Sequence, residues 1–182
     1  MIHAQPLHDS IRPYARRWHV IDEIDLVPLL SEHIRTEQLC QLLEGCADGL
    51  PDLPEAEEIA ELCHRLDAHA TDQIAREEAL LETLFGGPDA EPLGDTLLGH
   101  VRARHVACAV QAQDLLSALR PHTVERGPCA ATLGYMLRCF FDACRGAIAF
   151  EELAIRTLAD KRLTIAARML LDTRLQASCR SG

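Results

Sequence analysis

Residues 59–84 read IAELCHRLDAHATDQIAREEALLETL, and their periodicity decides the fold class. Apolar side chains at Ile59, Leu62, Cys63, Leu66, Leu80, Leu81 and Leu84 recur three and four positions apart. That spacing is one face of a helix rather than the alternation of a strand. His69, Gln73 and Glu77 interrupt the stripe at four-residue intervals, so they stand one above another on the same face. Glu55, Glu57 and Glu58 suit the positive end of the helix, and Gly86-Gly87-Pro88-Asp89 stops it, which bounds a helix over about 55–85.

Working outward, similar stripes give a helix over about 22–47, with Pro28 tolerated near its start. The turn cluster Asp48-Gly-Leu-Pro-Asp-Leu-Pro54 follows it. Further helices span about 92–119, ended by Arg120-Pro121, and about 128–159, opened by a first-turn proline. An amphipathic helix over roughly 161–176 closes the chain. The expected fold is all-α: an up-down-up-down four-helix bundle with an N-terminal arm and a C-terminal helix. The arm covers residues 1–21, the bundle with its tail helix 22–176, and a short tail 177–182.

Composition agrees with one helical domain. Only 4% of the 182 residues are aromatic, while Leu, Ala, Glu and Arg abound. A formal net charge of −10 argues against nucleic acid and anionic membrane as partners. No stretch approaches the roughly 18 apolar residues of a membrane span. Met1–Ser10 does not read as a signal peptide, so a cytoplasmic location is expected. Eight cysteines occur without a single C-x-x-C, which leaves zinc-ribbon and redox motifs without their spacing. Most are expected to pack as small apolar side chains.

Polar residues fall where these helices should be apolar. On the first helix the stripe carries His33 and Glu37; on the second His69, Gln73 and Glu77; on the third, which runs Leu93, Leu97, His100, Arg104, Cys108, Gln111 and Leu115, it carries His100 and Arg104; on the fourth Glu151. Counting from the turns brings His33, Glu77, His100 and Glu151 to nearby levels. A buried imidazole or carboxylate is costly unless paired or bound to metal. Carboxylates and neutral imidazoles suit iron, manganese or zinc, and a bundle core is a usual place to assemble them. The competing reading is a buried salt bridge to Arg104 or another basic group, and for His69, His105 and His64 the ordinary reading is a surface residue or a satisfied core residue.

These motifs resemble the hemerythrin-like, cation-binding (HHE) family. Leu29-Leu-Ser-Glu-His33 resembles its first-helix histidine motif, and Arg76-Glu-Glu-Ala-Leu-Leu81 its histidine–glutamate iron-binding segment. Leu97-Leu-Gly-His100 resembles the third-helix histidine, Ile148-Ala-Phe-Glu-Glu-Leu153 the second histidine–glutamate helix, and Lys161-Arg-Leu-Thr164 the start of the tail helix. The resemblance implies a non-heme di-iron site that binds dioxygen or nitric oxide or handles iron, with His33, Glu77, His100 and Glu151 at ligand positions. The chain departs from the family pattern at Gln73 and Ala147, where histidines four residues before the glutamates are expected, and at Arg104.

The departures and the charge balance favour one iron ion, or none, over a di-iron centre. One divalent ion with Arg104 balances the carboxylates Glu37, Glu77 and Glu151, whereas two ions overshoot. The function expected is therefore metal binding at an altered site that binds or senses a small molecule or handles iron, with a non-heme metal oxidoreductase the less favoured reading. A metal-free bundle serving as an interaction or regulatory module is the alternative. Association into a homo-oligomer is compatible with either.

Overall fold

The computed structural model describes residues 25–86, 92–120, 128–159 and 162–181, the last four without their side chains. Among the described residues there are helices and no strands. Helix α1 spans Val27–Gly49, α2 Ala56–Ala68, α3 Ile74–Phe85, α4 Pro92–Leu119, α5 Ala130–Leu158 and α6 Ile165–Ser181. A π-helical turn, His69–Gln73, joins α2 to α3, so the expected long second helix is continuous but carries one wide turn. No described helix is long and apolar enough to cross a membrane. The expected N-terminal arm lies outside the described residues, and α6 runs on through the stretch expected to be a tail.

Local chemistry sets the helix ends. The Asp25 carboxylate accepts from the Val27 amide at 3.0 Å, and Pro28 follows in the first turn of α1. Glu55 and Glu58 form a reciprocal capping box at the start of α2. The Arg162 guanidinium donates to the Leu84 carbonyl at 3.0 Å, satisfying one of the free carbonyls at the end of α3. Gly94 lets the start of α4 pass the end of α3: a Cβ there would lie 2.9 Å from the Phe85 carbonyl oxygen.

Packing places α5 against α1, α4 and α6, and α4 against α2 and α3. The apolar interior falls into two clusters. One gathers Leu39, Leu43, Leu62, Leu66, Leu115, Leu137 and Phe140, the other Leu29, Leu81, Val101, Ile155 and Leu171. On α1, α3, α4 and α5, the helices that contribute to both, a polar residue separates the two. His33 lies between Leu30 and Leu39, Glu77 between Ile74 and Leu81, His105 between Val101 and Cys108, and Glu151 between Cys144 and Ile155. The core is thus divided by a layer of ionisable groups.

Candidate metal centre

Each helix delivers its polar residue to this layer from a buried position. His33 is fully buried, and Glu77, His105 and Glu151 are nearly so. Glu151 is central. Its Oε1 lies 3.1 Å from His105 Nε2 and its Oε2 3.1 Å from His33 Nε2. Glu77 Oε2 stands 3.8 Å from the same His105 nitrogen. One ligand atom each from Glu77, His105 and Glu151 lies within 4.8 Å of the others, the spacing three ligands of one cation need.

Outer contacts orient these donors. His105 Nδ1 faces Glu78 Oε1 at 3.2 Å, which favours a proton on Nδ1 and leaves Nε2 for a cation. His33 Nδ1 faces Glu152 Oε1 at 3.0 Å, and Arg174 holds Glu152 at 2.6 Å and Glu37 at 2.8 Å. Gln73 donates its amide to the Glu32 carbonyl and Thr36 hydroxyl, both at 2.6 Å, and to Glu77 Oε1 at 3.3 Å. The π turn supports this arrangement: its wide backbone step, with Ile74 N–H donating to the His69 carbonyl, ends at Gln73 and leads into Glu77.

The titration behaviour follows from these contacts. Burial and the neighbouring Glu151 charge push Glu77 up to about 7. For His33 burial works the other way, but the hydrogen bonds to Glu151 and Glu152 outweigh it and raise the imidazole to about 9. Burial likewise opposes, and Glu151 outweighs it, in raising His105. Glu151 is lowered despite its burial, because it touches both imidazoles. Without a cation the layer is held by shared protons.

A cavity of about 10 Å³ adjoins the group, room for about one water-sized molecule. Glu77, His105 and Glu151 line it, together with His69, Cys108 and Cys144. His69 Nδ1 is buried without a hydrogen-bond partner, and burial lowers the basicity of the ring. The neighbouring Cys144 thiol brings Cys108 down to about 7, while Cys144, beside the Cys108 and Cys40 thiols and buried, is raised.

The expected site residues divide accordingly. Glu77 and Glu151 meet in the three-donor group, and His33 reaches it through Glu151. Gln73 supports Glu77 as a hydrogen-bond donor, and His69 lines the cavity outside the group. Glu37 is turned away to pair with Arg174. The third-helix expectation is corrected: His100 is exposed and packs edge-on to Phe150, with ring centroids 5.0 Å apart. Arg104 lies over the same Phe150 ring at 5.6 Å and forms no ion pair among the described residues with the layer's carboxylates.

The residue missed was His105. The stripe drawn through His100, Arg104, Cys108 and Gln111 is displaced by about one position from the buried face, Leu98, Val101, His105, Cys108, Ala112, Leu115, Leu116 and Leu119. Both stripes share Cys108 and Leu115, but the observed one is apolar except for a single histidine. That purity was the available signal.

The donor chemistry fits a metal. Two carboxylates and an imidazole with an acidic partner suit iron, manganese or zinc. No family model, curated protein or solved structure matches the chain.

Proposed function

We propose that this chain is a hemerythrin-like, cation-binding four-helix bundle, with up-down-up-down helices and an altered site for one ion. The ion, iron by the family resemblance, is held by Glu77, His105 and Glu151, so the third-helix histidine of the resemblance is His105. The observation that carries this reading is the convergence of those three buried donors within 4.8 Å. When bound, such an ion supplies a positive centre with an open position for a small molecule such as dioxygen or nitric oxide. The protein's part is to orient His105 through Glu78, to fix Glu151 through His33, and to admit a ligand no larger than the adjoining cavity.

Anaerobic titration of the purified chain with ferrous ion, followed by metal analysis after desalting, tests this. The expected result is about one equivalent, abolished by Glu77→Ala and by His105→Ala; retention below about a tenth of an equivalent of any transition metal overturns it. A second reading is a metal-free interaction or regulatory module. It draws on the pairing of the layer without an ion, with both His33 nitrogens and both Glu151 oxygens engaged. The same titration separates the two.

A further inference from the structure

The cavity lining carries chemistry besides that of the carboxylates. Cys108 on α4 and Cys144 on α5 both line the cavity, both are buried, and each thiol perturbs the other's titration. The two helices pack directly on one another. Cys144 Sγ lies 4.0 Å from His69 Nε2, and the other nitrogen of that buried ring has no hydrogen-bond partner. An unpaired buried imidazole nitrogen carries a real cost, so its retention beside two thiols is informative. Cys46 offers a contrast: it is buried in the apolar cluster and does not line the cavity.

We propose that Cys108 and Cys144 are a redox pair that closes to a disulfide across α4 and α5 when a small hydroperoxide enters the cavity beside His69. Cys108 sulfur attacks one peroxide oxygen and the O–O bond breaks. The thiol proton goes to the departing oxygen, which with hydrogen peroxide leaves as water. Cys144 sulfur then displaces the hydroxyl from the Cys108 sulfenic acid. The Cys144 proton passes through His69 Nε2 to that hydroxide and gives a second water. Two thiols and one peroxide thus become one disulfide and two waters. Closing the bond to about 2.05 Å requires the two Cα atoms to come within about 7 Å of each other across the packed helices. Room for about one water-sized molecule excludes bulky thiol reagents, and hydrogen peroxide, with two oxygens, enters as the lining side chains give way.

The test uses the full chain, reduced and stripped of metal with a chelator, then treated with one equivalent of hydrogen peroxide. Free thiols are alkylated and the digest is mapped by mass spectrometry. A peptide linking Cys108 to Cys144, two hydrogens lighter than the sum of its parts, is expected, with two thiols lost per chain and restored by a dithiol reductant. Cys46→Ser retains the link; Cys144→Ser leaves a Cys108 sulfenic acid that dimedone traps. The proposal is overturned by free Cys108 and Cys144 in a sample whose exposed Cys129 has oxidised, or by a Cys40–Cys144 link in their place. If Cys144→Ser fails to fold, the wild-type map decides alone. The measurement is made without metal, so its failure leaves the cation reading standing, and an empty cation site leaves the thiol pair standing.

Discussion

His105 Nε2 lies 3.1 Å from Glu151 Oε1, joining α4 to α5 through a nearly water-free contact. The same nitrogen faces Glu77 on α3, so replacing His105 removes the element that draws both carboxylates together. His105→Ala is expected to lower metal affinity at least about 100-fold, whereas His100→Ala leaves it within about twofold. Competition titration with a chromophoric chelator compares them, and equal losses would argue against His105 as the ligand.

Glu78 acts one bond further out. It holds the far nitrogen of His105, and losing such an acceptor typically weakens metal binding about 10–100-fold. Glu78→Gln is expected to show that loss with the melting temperature of the metal-free chain little changed. An unaltered affinity would mean that Glu78 does not set the tautomer.

Removing the central carboxylate should unfold rather than merely empty the layer. Glu151→Ala strips a partner from two buried imidazoles, and breaking a buried pair costs about 3–5 kcal/mol. Arg104→Leu removes only a contact with the Phe150 ring and should cost about 1 kcal/mol or less. Urea unfolding of the metal-free proteins measures both; a larger loss for Arg104→Leu would restore it to the seam.

Stability of the metal-free chain should fall as pH rises through neutrality. His33 is raised from 6.5 to about 9, so its contribution is complete below about 6.5 and lost by about 9. Glu77, raised from 4.5 to about 7, acts in the same direction between those values. Glu151 is lowered, so its contribution is present above 4.5 and lost on further acidification. Greatest stability is therefore expected near pH 4.5–5, because Glu77 already begins to lose its contribution above 4.5. The loss by pH 9 from His33 alone is on the order of 3 kcal/mol, or roughly 6–12 °C in melting temperature. Thermal scans after chelation check the sign, and a melting temperature that rises from pH 6 to 9 would contradict the shared-proton account.

The helices were legible because periodicity is local. The spacing along Ile59–Leu84 and the Gly-Gly-Pro stop mark the observed end of α3, and the expected third helix coincides with α4. Glu77 and Glu151 were legible for the same reason, as polar breaks in well-phased stripes. His105 was not, because an offset of one residue turns a helix by about 100° and exchanges a buried side chain for an exposed one. Nor did sequence spacing show that Arg174 would reach Glu37 and Glu152, a contact made by α6 folding back on α1 and α5. The π turn at His69–Gln73 has no pattern of its own in the sequence; its extra width is set by what surrounds it.

The division of the core into two apolar clusters bears on how the molecule comes apart. A charged layer contributes little hydrophobic cohesion, so the part around Leu66, Leu115 and Phe140 and the part around Leu81, Val101 and Ile155 are expected to open at different free energies. A cation gripping α3, α4 and α5 at their boundary would fasten the two together. Amide hydrogen exchange would then register its arrival as the merging of two opening events into one, far from any atom the ion touches.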